Sequence, residues 1–312
     1  MAKVTNAFDT YSATANREDL ADVIYNIAPT DTPVMTAAGR KSVSNVTFDW
    51  QTDTLAASSG TGVLEGDVLS QTATTPTTRE SNVCQINRRD ATVTGTQEAS
   101  NGAGGSGSLA YSLSLRSKEL KRDMETALCD KQNKTAGNAT TARATRGIES
   151  WIITNANRST GATAGANTTG DVTDGTQRVF TEAMLDDVLQ DCFDAGAEPS
   201  LLVVGGFNKQ KVSDFTGRSN TRQMIDENAV SSAVDIISHD FGQLTVVPSR
   251  FSRARSALLL DPNFVSVAFF RDFTTQELGR TGDATTQAIL AEWGVCMHEE
   301  AAHGIVADLT TS

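Results

Sequence analysis

Residues 108–132, SLAYSLSLRSKELKRDMETALCDKQ, predict the longest helix in the chain. Apolar residues recur there at three-, four- and seven-residue spacing and charged residues fill most other positions, as in an amphipathic helix. The apolar positions are Leu109, Leu113, Leu120, Met124, Ala127 and Leu128; the charged positions, predicted to face solvent, are Arg116, Lys118, Glu119, Lys121, Arg122, Asp123 and Glu125. At about 1.5 Å per residue the helix is roughly 35 Å long, enough to cross a subunit.

Upstream of this helix the sequence predicts a long β-hairpin. Residues 45–51 alternate between apolar and polar, which indicates a half-buried strand, and a second β-rich stretch runs from 81 to 96. The tract between them is rich in Thr, Ser, Ala and Gly. Because an isolated two-stranded hairpin is marginally stable in water, we expect this one to rest on another surface. The residues expected to contact an adjacent subunit are Trp50, Val63, Leu64, Val68 and Leu69.

The first 40 residues contain few apolar positions apart from 17–27, one or two helical turns that Pro29 ends. A segment of this kind cannot bury enough surface alone to offset its ordering entropy. We therefore expect it to be flexible or to lie against a neighbouring surface, with Arg17 and Asp19 at a contact between subunits.

Downstream of the long helix, an α/β block precedes a β-rich end. Thr181 is a predicted N-cap, and the helix that it begins ends at Gly196. The further predicted elements are a strand at 201–204, a helix at 207–215, a hairpin of 234–238 with 244–247, and strands at 257–260, 265–270, 289–297 and 305–306. The predicted fold class is α+β.

The charge balance limits the classes of partner. The 312 residues include 26 basic and 38 acidic side chains, a net charge of −12. This argues against a protein that coats nucleic acid, because such binding depends on Lys and Arg at phosphates; a container around DNA remains compatible. The longest apolar runs are far shorter than the roughly 20 residues that span a bilayer, and the N-terminus lacks a secretory apolar segment. We expect a soluble cytoplasmic protein without a membrane partner.

The four cysteines, Cys84, Cys129, Cys192 and Cys296, lie far apart with no Cys-x-x-Cys pair. This spacing indicates small buried apolar residues in a reducing compartment rather than a disulfide framework or a zinc site.

The sequence predicts no catalytic residue, cofactor site or metal site. Gly102, Gly104 and Gly107 match G-x-G-x-x-G, but no buried strand leads into them, so a hinge is favoured over a dinucleotide site. His298 and His303 are five residues apart and would point about 140° apart on a helix, so they cannot share a metal.

Two small basic clusters could contact phosphates, although salt bridges to carboxylates of this acidic chain or of a neighbour are favoured. They are Arg88-Arg89 and the set Arg250, Arg253 and Arg255.

In several segments the chain resembles a group of tailed-phage major capsid proteins. The segments are NREDLADVIYNIAPTDTP at 16–33, LKRDME at 120–125, RGIE at 146–149, FG at 241–242, VVPSRF at 246–251, LLDP at 259–262, ELGRTGD at 277–283, EW at 292–293 and EEAAHG at 299–304. Each motif alone is weak, but their order along nearly the whole chain is fairly specific.

The resemblance implies the Hong Kong 97-type capsid fold. Residues 1–44 would be the N-terminal arm, 45–96 the extended β-hairpin loop, 97–146 the peripheral domain with its spine helix, 147–250 the axial domain, and 251–312 the C-terminal strands that complete the peripheral domain. The implied function is self-assembly into hexamers and pentamers of an icosahedral virion shell. The shell would enclose double-stranded DNA without sequence-specific binding, and the chain would be made in the bacterial host cytoplasm.

The sequence qualifies this resemblance in two ways. No lysine occurs between Lys41 and Lys118, so the extended loop cannot donate an amine to an isopeptide bond between subunits. Residues 1–44 are too short and unhelical for a fused scaffolding domain, so any scaffold is a separate protein; portal and decoration proteins are further implied partners.

Three alternatives remain open at this point. An encapsulin-like nanocompartment shell has the same fold but encloses protein. A soluble α/β nucleotide-binding enzyme would use the 102–107 glycines. A decoration or tail-tube subunit is disfavoured, because such proteins are commonly smaller and mostly β.

Overall fold

The computed structural model describes residues 30–56, 58, 60–68, 73–100, 108–165, 171–215, 224–226, 229–230, 235–280 and 282–312. The predicted turns at 17–27, with Arg17 and Asp19, lie outside these residues, as do Leu69 and the 102–107 glycines. Within the described ranges, none of the helices combines the length and apolar character needed to cross a bilayer.

The described chain is mixed α+β. Its helices are α1 (Pro33–Ala37), α2 (Gly95–Ala99), α3 (Leu109–Leu128), α4 (Ile148–Trp151), α5 (Glu182–Asp194) and α6 (Gly206–Ser213). Its strands are β1 (Gly39–Ser42), β2 (Thr47–Thr52), β3 (Thr78–Val83), β4 (Gln85–Thr94), β5 (Ala156–Asn157), β6 (Leu201–Val204), β7 (Met224–Asp226), β8 (Ala229–Val230), β9 (Ile236–His239), β10 (Gly242–Pro248), β11 (Ala257–Leu260), β12 (Val265–Leu278), β13 (Ala284–Met297) and β14 (Gly304–Val306). A 3-10 turn, Glu300–Ala302, precedes β14.

A four-stranded sheet in the order β1-β12-β13-β4 supports the long helix. Strands β12 and β13 have 14 residues each and form an antiparallel hairpin. Helix α3 packs against β4 and β13. Its buried side chains Leu120, Met124 and Leu128 join the core of this layer, which confirms the predicted amphipathic helix.

The helix is shorter than predicted and buries one charged residue. Ser108 caps its N-terminus, where its hydroxyl accepts a hydrogen bond from the Tyr111 N–H, and the helix ends at Leu128. The prediction that Glu125 faces solvent is wrong. Its carboxylate is buried and accepts hydrogen bonds from the backbone N–H groups of Val34 and Met35, at 2.9 and 2.8 Å.

These contacts anchor part of the predicted N-terminal arm on its own subunit. Val34 is buried in the core of the first layer, and β1 pairs in parallel with β12. The hydrogen bonds to Glu125, the burial of Val34 and the pairing of β1 together hold this polar segment in place. The expectation that the N-terminal segment is flexible or lies against a neighbouring surface is therefore wrong for residues 30–44.

The second layer is a six-stranded sheet in the order β5-β14-β11-β6-β10-β9. Helix α5 packs on β14 and β5, and α6 packs on β10. Helix α5 buries Leu185, Val188, Leu189 and Cys192, and Gly196 ends the helix, as predicted, with φ of +88°. The Thr181 side chain, however, makes no capping hydrogen bond.

Two predicted strand assignments need correction. Of the predicted stretch 81–96, only residues 81–83 pair with β2, as the end of β3, whereas residues 85–94 form β4, which pairs with β13. The buried Cys84 separates β3 from β4. In addition, β11 and β14 pair in the six-stranded sheet, so residues 251–312 are divided between the two sheets. Every residue of β11 and β14 is buried, which agrees with their place inside the six-stranded sheet, where both faces of a strand are covered.

The two C-terminal histidines bind different partners. His303 is fully buried, and its Nδ1 accepts a hydrogen bond from the Asp261 backbone N–H at 3.2 Å. The Nε2 atom of His298 lies 3.0 Å from the Ser266 hydroxyl. The four cysteines are free thiols and all are buried, as predicted.

The buried His303 makes acid sensitivity a testable property. Burial lowers its pKa to about 4, so the neutral form is favoured by folding. The stabilisation it supplies is complete above its ordinary pKa of about 6.5 and is lost progressively towards pH 4. We expect the free energy of unfolding to fall by about 2 kcal/mol from this group between pH 6.5 and 5. His303→Asn keeps an acceptor for Asp261 but does not titrate. Urea unfolding at the two pH values should therefore give a smaller fall in the variant, and equal falls would refute this role.

Candidate assembly surface

The tip of the hairpin, residues 53–77, carries apolar side chains that nothing in the described chain covers. Leu55 is 99% exposed, and Val63, Leu64 and Val68 are 78%, 83% and 86% exposed. No regular strand or helix forms in the described part of this tip. Exposed apolar side chains concentrated in one projecting loop mark a protein contact. The surface formed by Leu55, Val63, Leu64 and Val68 is called the loop-tip patch below.

The base of the same hairpin is fixed to its own subunit. Strands β2 and β3 pair antiparallel, and the ring of Trp50 stacks on Phe48 and contacts Trp151, with centroids 5.9 and 5.3 Å apart. Phe48 also lies against β13, where a Cβ on Gly294 would come within 2.7 Å of its ring. Glycine at 294 is therefore needed for this close approach. The structure places Trp50 in the subunit core, 9% exposed, whereas Val63, Leu64 and Val68 are free to contact a neighbour.

Asn82 ties the hairpin base to the first sheet. Its buried amide donates to the Val295 carbonyl at 2.7 Å and to the Thr145 hydroxyl at 3.1 Å, and its Oδ1 accepts from the Arg146 N–H at 3.0 Å. The Arg146 guanidinium is buried over the Trp151 ring, 4.2 Å from its centroid, and burial lowers its pKa to about 10. These contacts give the exposed tip a rigid support.

A buried carboxylate connects the two layers. Glu149, in α4, lies 2.6 Å from the Arg253 guanidinium and 3.8 Å from that of Arg158, and it accepts a hydrogen bond from the Ser256 hydroxyl at 2.9 Å. Because all its partners come from the second half of the chain, this cluster fixes α4 to the second layer. Glu149 lies in the RGIE motif at 146–149, one of the segments that resemble capsid proteins. The spacing of residues along the chain could not predict its structural role.

The cluster extends to the surface through Asp174. Partial burial raises the pKa of Asp174, but hydrogen bonds from Arg253 and Lys131 hold it below its ordinary value. Arg255 approaches Asp308 at 3.4 Å. The preference for salt bridges is thus confirmed for Arg253 and Arg255.

The two arginines of the other basic cluster, Arg88 and Arg89, lie on opposite faces of β4. Arg89 forms two hydrogen bonds with Asp123 of α3, at 2.7 and 2.9 Å, which confirms its predicted salt bridge. Arg88 is exposed on the opposite face of β4.

Comparison with known proteins places the chain in a family. A family model described as SU10 major capsid protein matches residues 3–310. The chain belongs to this family. Over 129 residues it is 33% identical to the major capsid protein of Escherichia phage Phieco32, a match that covers 41% of this chain and 37% of that relative.

Solved structures similar to this capsid protein confirm the fold. A chain from the capsid of a native GTA particle aligns with a TM-score of 0.62 and 16% identity over 96% of this chain and 97% of that one. The SrpI encapsulin of Synechococcus elongatus PCC 7942 aligns less well, with a TM-score of 0.54 and 10% identity over 96% and 94%. The capsid protein therefore has the Hong Kong 97-type fold that the sequence resemblance implied.

Proposed function

We propose that this chain is the repeating subunit of a tailed-phage shell, which assembles into hexamers and pentamers and closes an icosahedral container around double-stranded DNA. The observation that carries the proposal is the loop-tip patch, exposed on a rigid base in a member of a major capsid protein family. The chain has a structural rather than a catalytic role, which it performs through its contacts with other copies of itself.

The physical chemistry of the chain suits a container. Contacts repeated over a closed shell can each be weak while the whole assembly is stable. A net charge of −12 keeps most of the surface from adhering to DNA, so the cargo can enter and leave. Synthesis in the host cytoplasm and separate scaffolding, portal and decoration proteins belong to the same proposal.

Expression of the chain alone tests it. We expect particles of megadalton mass by sedimentation, either closed or aberrant depending on whether a scaffold is required. A chain that stays a small oligomer and gains thermal stability from nucleotides would favour the enzyme alternative instead. Particles from infected cells should contain DNA; enclosed protein without DNA would favour the nanocompartment alternative, which the weaker likeness to an encapsulin brings into consideration.

The proposed shell should be held together without covalent links from the extended loop. No lysine lies between Lys41 and Lys118, so the loop has no side-chain amine for an isopeptide bond. Mature particles boiled in detergent should release chains of about the 33.1 kDa monomer mass on a denaturing gel. Ladders of covalent multimers would contradict this prediction.

A further inference from the structure

Each acidic residue of the long helix α3 is bound by a partner on its own subunit. Glu119 pairs with Arg116 at 2.7 Å, and Asp123 pairs with Arg89 of the underlying strand. Glu125 is buried against the amides of the segment that crosses the end of the helix. Each carboxylate of α3 is thereby neutralised by a cation or bonded to backbone donors.

Basic residues occupy the outer side of the same helix. Lys118 and Lys121 are exposed, and along the described chain neither lies within 4.0 Å of a carboxylate. Arg122 follows, its guanidinium 5.8 Å from the Phe251 ring centroid, and the exposed Arg250 is next to that phenylalanine. Residues three and four apart are neighbours on a helix surface, so Lys118, Lys121 and Arg122 share one side. These three residues with Arg250 are called the basic strip below.

We propose that the basic strip contacts the phosphate backbone of the enclosed double-stranded DNA, so that α3 lies on the inner side of its sheet. This inference rests on the proposed function. Charge complementarity selects the partner: closely spaced cations in a chain of net charge −12 match a polyanion, and the acids that would repel it are engaged elsewhere. The opposite face of β4, which carries Arg88 and Asp90, would then face outward.

Contacts between lysine or arginine and DNA phosphates are weak and do not depend on the base sequence. Each neutralised phosphate contributes a slope of about −0.9 to the dependence of log affinity on log salt. Two to four such contacts per subunit retain DNA loosely at many points, which agrees with a cargo that must enter and leave.

Lysine footprinting of DNA-filled and empty particles tests this placement. We expect the acylation rates of Lys118 and Lys121 to be several-fold lower in filled particles, while Lys41 and Lys211 change little. Equal rates at Lys118 and Lys121 in the two particles, or equal protection at all four lysines, would overturn the inference. Particle formation and DNA content, measured on the same samples, test the proposed function separately.

A charge-matched pair of variants supplies a second test, with the full-length chain below its assembly concentration and a 20-base-pair duplex as the probe. Lys118→Glu with Lys121→Glu should reduce the salt slope of duplex binding by about 2. Arg88→Glu with Lys211→Glu changes net charge equally but leaves the basic strip intact, so its slope should stay near that of the unmodified chain. Equal reductions in both variants would overturn the inference.

Discussion

Replacing Val63, Leu64 and Val68 with serine is expected to abolish shell assembly while the subunit remains folded. These side chains contribute nothing to the subunit core, since they are at least 78% exposed. Burying a Val or Leu at an interface is worth about 1.5–3 kcal/mol, so three lost contacts cost roughly 4.5–9 kcal/mol per subunit. Every 1.4 kcal/mol is about tenfold in affinity, and the concentration needed for assembly should therefore rise at least on the order of a thousandfold.

Trp50→Ser provides the contrast, because its ring is packed inside the subunit. Removing a buried aromatic side chain costs about 3–5 kcal/mol of folding stability. We expect this variant to unfold at a lower temperature, whereas the triple serine variant should unfold near the temperature of unassembled native chain. Sedimentation for assembly and circular dichroism for unfolding measure the two effects separately. Normal assembly of the triple variant would show that the loop-tip patch is not an interface.

Glu149→Ala should destabilise the subunit by about 3–5 kcal/mol. The change leaves the buried Arg158 without its ion-pair partner, whereas Arg253 keeps Asp174, and an uncompensated buried charge is strongly unfavourable. The matched control is Asp272→Ala, which removes an ion pair with Arg40 whose side chains are 57% and 59% exposed; this should cost less than about 1 kcal/mol. Urea unfolding measures both changes.

The effect of Glu149→Ala should persist in high salt, because buried pairs are screened far less than exposed ones. A loss of stability no larger than that of the control would contradict the role of this cluster in joining the two layers.

Periodicity was sufficient to predict the elements that bury one continuous apolar face. Helix α3, helix α5 and strand β6 follow directly from their apolar spacing. The exposed residues Val63, Leu64 and Val68 of the loop tip were equally predictable, because a tract rich in Thr, Ser, Ala and Gly offers them no core.

The errors came from contacts between residues far apart in sequence. Glu125 looks like a surface residue until the amides of Val34 and Met35, about 90 positions away, are placed beside it. Strands β11 and β14 join the second sheet through pairings that no local pattern encodes. The Trp50 alternation correctly predicted a strand but could not distinguish a core of the same subunit from the surface of a neighbour.

Electron microscopy of particles formed by the purified recombinant chain tests the central claim most directly. At a resolution that traces the backbone, residues 53–77 should extend from their own subunit and cover their apolar side chains on an adjacent copy. Particles in which this loop touches no neighbour, or a chain that remains a stable monomer at every concentration, would contradict the account.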